Sequence, residues 1–324
     1  MKYLDHKIIK TALGTGISIY LADLLNINFG VTAGIVTIIT IQSTKRESFK
    51  IAAERFLASV IGLFVAALLF KFVGFNPLVF SLFILVFMQI CIYFNLFQGF
   101  LATVVLVTHM LVIKNVSFEV VLNEIYILLL GSVVALALNM YMPNEKKDIL
   151  KVRESIDTDM KRILNYFGEV LVTGSVFIYE DLVFKDLKKN IELYKELAFR
   201  EYNNDLFEYS RYEIDLASMK RSQYKVLSKV RTYFHSFYIS SDHAYIVAEF
   251  TKKVADSIGV DHLYQQVLKD LVELREKFKK MPLPQSRVEF ESRAIFFQFL
   301  NGIEEFLEIK KEFLNKYNLD GEKK

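Results

Sequence analysis

The sequence predicts an all-α protein: a six-helix transmembrane domain over residues 1–143, followed by a cytosolic α-helical bundle over residues 144–324. Three observations predict it. Charge is unevenly placed, because of the 77 Lys, Arg, Asp and Glu residues 15 precede Pro143 and 62 follow it. Six apolar stretches fill the first region. The second region carries apolar residues at helical spacing and no alternating pattern long enough for a strand.

A bilayer core about 30 Å thick takes about 20 apolar residues in a helix. The candidates are residues 8–25, 29–42, 56–73, 78–94, 99–113 and 120–141. Basic residues precede the apolar run of the first as in a signal sequence, yet no small-x-small cleavage site follows Ile17–Leu25 and Asp23 interrupts its end, so it reads as a retained helix. The second, at about 14 residues, has the length of a re-entrant or interfacial segment. Charge decides its role, because Lys and Arg near crossing ends stay on the cytoplasmic side. Three basic clusters share one side only if two crossings separate the first from the second and four separate the second from the third: Lys2 to Lys10, then Lys45, Arg46, Lys50 and Arg55, then Lys146, Lys147, Lys151 and Arg153. The second stretch is therefore expected to cross. Both termini then lie in the cytoplasm of a multi-pass cell-membrane protein, and the outer loops around 26–28, 74–76 and 114–117 carry little charge. Pro77 suits the first turn of the fourth helix and Pro143 the exit from the sixth.

In the tail, Ile149, Ile156, Met160, Ile163, Phe167 and Val170 form one helical face. Similar stripes run through Leu187 to Leu197, Leu216 to Phe234 and Leu263 to Leu274, and Phe296 to Tyr317 makes the last helix after Pro282 and Pro284. Five or six helices packed by these stripes form the expected bundle.

Several classes of function are excluded. Cys91 is the single cysteine, so neither an intrachain disulfide nor a cysteine-based metal site is possible. A net charge of +3 with both signs interspersed gives no case for nucleic acid. Neither GxxxxGK[ST] nor HExxH occurs, so no enzyme, cofactor or metal is expected. The pairs Asp242-His243 and Asp261-His262 read as helix caps rather than metal ligands.

Ionisable residues in the apolar half are the informative ones, because each is expensive in lipid and turns toward a cavity or a partner. They are Asp23, Glu54, Arg55, His109 and Glu124. His109 lies well inside the fifth stretch, where its ordinary pKa near 6.5 suits carrying a proton or bonding a neighbouring helix. Glu124, one turn inside the sixth, is expected to reach toward the outer surface. The candidate transport path is His109, Thr108, Gln89, Gln98 and Asp23, with Lys45, Arg46 and Arg55 recruiting an anion at the inner mouth. Gly30 and Gly34 form a GxxxG pair, and Ala58, Gly62 and Ala66 follow at spacing four, which suits close helix packing.

The passage Gln42-Ser-Thr44-Lys45-Arg-Glu-Ser48, followed by Arg55, resembles the membrane domain of the bacterial aromatic acid exporter family, relatives of the fusaric acid resistance proteins. Val107-Thr108-His109-Met110-Leu111 is similar to that family's fifth-helix segment. The resemblance extends to the layout of six spans and a helical C-terminal domain, and Ser43 departs from it where the family has proline. It implies a secondary transporter that exports aromatic or related organic acid anions across the lipid bilayer, working as a homodimer. An organic anion channel, or a sensor or scaffold whose helical tail binds a partner, would share the layout.

Overall fold

The computed structural model describes residues 2–142, 145–174, 180–206, 210–233 and 242–318. Among them are twelve helices and no strand. The chain divides into two compact units, one of Met1–Pro143 with Asn203–Tyr209, the other of Asn144–Tyr202 with Ser210–Lys324.

The first unit holds α1 (Lys2–Leu24), α2 (Val31–Thr40), α3 (Lys45–Val73), α4 (Pro77–Tyr93), α5 (Phe97–Ile113) and α6 (Phe118–Met140). Local chemistry sets the breaks. Asn26 and Phe29 take left-handed backbone (φ 53° and 59°) between α1 and α2. The Thr44 hydroxyl accepts from the Glu47 N–H at the start of α3, the cap that a Thr-x-x-Glu sequence offers. Asn76 accepts from Val79 N at 3.0 Å, with Pro77 in the first turn of α4, where a missing N–H costs nothing.

Two of these helices, α3 and α6, are long and apolar enough to cross a bilayer. Only a third of each apolar window is buried, whereas the core helix of a soluble domain is mostly buried. The apolar helices α2, α4 and α5 are shorter, at 10 to 17 residues. The stretch 29–42, expected as a full crossing, is helical only over Val31–Thr40, about 15 Å at 1.5 Å per residue. Phe29 turns the chain at one end, and Ile41 is already extended at the other.

Small residues let these helices touch. A Cβ on Gly62 of α3 would lie 2.3 Å from the Thr103 methyl of α5, and one on Gly131 of α6 would lie 2.5 Å from the Ala33 carbonyl oxygen of α2. Stacked rings of Phe83, Phe87 and Phe100 fill the space beside them, and Cys91 is fully buried in the same core.

The second unit holds α7 (Lys146–Thr173), α8 (Glu180–Asn204), α9 (Tyr212–Tyr233), α10 (Asp242–Asp256), α11 (Asp261–Lys279) and α12 (Arg287–Lys316). α8's last two residues, Asn203 and Asn204, group with the first unit. Its stripes converge on one core that includes Ile156, Met160, Phe167, Tyr194, Phe296 and Phe299. α7 ends on Gly174 in left-handed backbone, and Ser286 caps α12 by accepting from Glu289 N at 3.1 Å. Buried hydroxyl and amide groups find carbonyls: Tyr264 donates to Leu307 O at 2.8 Å, and Gln223 to Phe306 O at 3.2 Å. α11 begins at Asp261 with Val260, not the aspartate, at the N-cap position, and α10 begins at Asp242. The side chains of Asp242, Asp261 and His262 lie outside the described residues.

Candidate functional site

His109 sits on the buried face of α5, the face that also carries Leu106 and Met110. Its Nδ1 is 2.7 Å from Oε2 of Glu124 in the second turn of α6. The glutamate is fully buried and the imidazole nearly so. On the far side of the ring, Nε2 is 3.2 Å from the hydroxyl of Thr32 in the first turn of α2. Phe29 covers one face, its ring parallel to the imidazole with centroids 4.2 Å apart. The second carboxylate oxygen of Glu124 accepts from the Asn123 amide at 3.3 Å.

That amide also fixes the turn before α2. Asn123 Oδ1 accepts from Asn28 N at 3.0 Å, and its Nδ2 donates to Asn28 O at 3.1 Å. Left-handed backbone costs a non-glycine residue about 1–2 kcal/mol. At Phe29 the paired amide contacts and the ring stack offset that cost and hold the aromatic ring on the histidine.

A second polar cluster closes α2 and opens α3. The backbone N–H of Gln42 donates to the Ser48 hydroxyl at 3.1 Å, and Asn139 of α6 donates to Gln42 O at 3.0 Å and to the same hydroxyl. Gln42 turns its own amide back onto Ile39 O at 2.8 Å. Arg55, buried two turns further along, donates from Nη1 to the Thr40 hydroxyl at 2.9 Å and from Nε to Gln98 O at 3.1 Å. It thereby ties the end of α2 to the start of α5.

A family model described as "Aromatic acid exporter family member 1" matches residues 2–142, and one described as "Putative aromatic acid exporter C-terminal domain" matches residues 146–311. The chain belongs to the aromatic acid exporter family. Membership places it in the membrane and points to an export role. A Bacillus subtilis (strain 168) protein designated "Uncharacterized protein YqjA" is 29% identical over 313 residues, covering 96% of each chain. The solved structure titled "Crystal structure of putative membrane protein from Clostridium difficile 630" is 22% identical, with a TM-score of 0.46, over 51% of this chain and 98% of that one.

In this exporter-family chain the residues singled out from sequence fall into separate places. Of the path candidates, His109 alone is buried. Thr108 is half-buried and donates to Val105 O at 2.6 Å, while Gln89, Gln98 and Asp23 are exposed on the first unit. Lys45 and Arg46 open α3: the Lys45 N–H donates to Asn204 Oδ1 at 3.1 Å, and the Arg46 guanidinium to Asp205 O at 3.3 Å. Gly30 faces Ala22 and Gly34 faces Ile19, both of α1, and Ala58 and Ala66 are fully buried. Glu124, expected to reach toward the outer surface, is instead the buried partner of His109, because the imidazole and the Asn123 amide occupy its two oxygens. Sequence reasoning did not find Phe29, Thr32, Asn123 or Asn139. A polar residue inside an otherwise apolar stretch was the available signal for the last two.

Proposed function

We propose that this chain is a secondary membrane transporter that exports aromatic or related organic acid anions, crossing the bilayer six times with both termini in the cytoplasm and working as a homodimer. The observation that carries this reading is the buried His109–Glu124 pair with Thr32 at the other ring nitrogen. A hydroxyl both donates and accepts. Thr32 can therefore donate to Nε2 of a neutral His109 or accept from it when the ring is protonated, while Nδ1–H stays on the carboxylate. Both charge states keep their hydrogen bonds, which suits a site that takes up and gives back a proton during transport. With the ring charged the pair is neutral overall, and an anion meets no net negative charge there; with the ring neutral, Glu124 repels it.

The membrane potential supplies drive as well, because a negative interior pushes one anionic charge outward by about 2.3 kcal/mol per 100 mV. Lys45 and Arg46 serve as recruiting charges, and Arg55 as the buried counter-charge at the α2–α3–α5 junction. The six-span arrangement rests on the three basic clusters and on α3 and α6.

The test is uptake of labelled benzoate into inverted vesicles, with and without a pH gradient. His109→Ala is expected to reduce uptake to background while expression persists. Removing one member of a buried charged pair also destabilises, by about 3–5 kcal/mol. The double variant His109→Gln/Glu124→Gln, which removes both charges and retains an amide pair, separates the two effects. It is expected to fold and still not transport. Wild-type uptake in that variant removes the pair from the mechanism, and unitary currents in a planar bilayer would move the assignment to an anion channel.

A further inference from the structure

We infer that the second unit carries a contact surface for another copy of this chain, on the outer face where the N-terminal half of α12 packs beside the end of α11. Phe290, Ala294 and Phe297 recur at helical spacing along that face, and the two rings are 62% and 61% exposed. Leu283, in the turn before α12, is 86% exposed. That turn lies beside the stripe, because Arg293 donates to Pro282 O at 2.6 Å. Next to the Phe297 ring, a groove of about 280 Å³ runs between the two helices, with Phe278 and Leu300 in its lining. A contiguous apolar patch on a unit whose outside is largely charged marks an interaction surface.

Charge and area select the partner. Each cation lining the groove has a carboxylate of its own: Arg275 meets Glu304 at 2.7 Å, Lys279 meets Glu276 at 2.7 Å, and Arg293 meets Glu289 at 2.6 Å. These six charges cancel, so the groove offers no surplus to draw an anionic lipid surface, a nucleic acid or an acidic peptide. Two such patches can meet without like-charge repulsion. Leu283, Phe290 and Phe297 together expose on the order of 400 Å² of apolar surface, and an interface of standard size buries about 800 Å² per partner, a little over half of it apolar. A two-fold contact also requires a patch that complements itself. Here protruding rings stand beside a groove that can receive them, and Ala294, the small residue between the rings, lets two backbones approach nearest the two-fold axis. This placement deepens the homodimer part of the proposed function and rests on it.

Disulfide cross-linking of the full-length protein in membranes, with copper phenanthroline as oxidant, is the test. The native Cys91 is fully buried, so an introduced cysteine is the one that reacts. Ala294→Cys is expected to convert most of the protein to a covalent dimer, whereas Lys195→Cys, on the exposed face of α8, should not. Adding Phe290→Asp or Phe297→Asp to the Ala294→Cys protein should lower the yield at least about tenfold, with helicity by circular dichroism unchanged because both rings lie outside the core. The placement is overturned if Ala294→Cys cross-links no better than Lys195→Cys, if neither aspartate lowers the yield, or if the thiol joins a different protein instead. A dimeric mass by light scattering without this cross-link overturns the placement and leaves the homodimer standing; a monomeric mass without it overturns both.

Discussion

In the first unit apolar side chains lie on both sides of the helices: Phe83, Phe87 and Leu106 are buried, while Phe64, Phe72 and Leu101 are exposed. In the second, Phe167, Phe296 and Phe299 are buried, and the outer surface is laced with pairs such as Lys229–Glu305, Lys253–Asp270 and Arg275–Glu304. The difference shows what specifies each interior. In water, burying apolar surface chooses the inward face. In lipid that choice is worth little, and close contact between small residues and hydrogen bonds between helices take over. The first unit accordingly holds polar contacts inside. Thr37 is shared among Ser18, Ala33 O and Gly131 O, and Ser59 pairs with Thr103 at 2.9 Å.

The largest test of this contrast lies in the second unit. Phe299→Ala should cost about 3–5 kcal/mol, measured by chemical denaturation; a loss below about 1 kcal/mol would show that the bundle does not depend on its apolar core. In the first unit, the comparable lesion adds an atom. Gly131→Ala places a Cβ against the Ala33 carbonyl and should cost about 1–3 kcal/mol, seen as a lower melting temperature in detergent. An unchanged melting point would break the idea that backbone approach specifies that interior. Helix caps should matter alike in both units, so Thr44→Ala and Ser286→Ala should each cost about 1 kcal/mol. Unequal losses would sharpen the contrast.

The smallest effect is electrostatic. Burial pushes the Asp159 carboxyl above the ordinary 3.8, against the pull of the Asn190 amide and Arg162. The folded state therefore keeps this proton to higher pH than the unfolded chain does. The group's contribution rises as pH falls toward 3.8 and is lost as pH climbs through the folded value. Asp159→Asn should raise the melting temperature slightly at neutral pH and flatten its rise on mild acidification. A lower melting point at neutral pH would mean that the hydrogen bond to Asn190 outweighs burial. At Tyr317 the same logic runs in the alkaline range, where burial and the Asp215 carboxylate lift the phenol to about 12.

Periodicity made the second unit's core legible, because Ile156, Met160, Ile163 and Phe167 recur on one face of α7 and all four are buried there. Proline placement marked the breaks at Pro77 and before α12 equally well. The short α2 was not legible: its start depends on left-handed backbone at Phe29, a residue type that rarely takes it. The pairing of His109 with Glu124 was hidden for another reason. Fifteen residues and a chain reversal separate them, and spacing along a sequence says nothing about which faces of two helices meet. The motif from Gln42 to Ser48 stood out by family likeness. Its structural partner Asn139 lies 91 residues beyond Ser48, and a polar residue in an apolar stretch shows itself without showing what it meets.

The complete burial of Cys91 in α4 gives the protein a built-in reporter. As the chain's single thiol, it should be sealed from maleimide while α4 stays seated, so its modification rate measures how often that helix comes away. The same silence leaves the native background clean for cysteines introduced elsewhere.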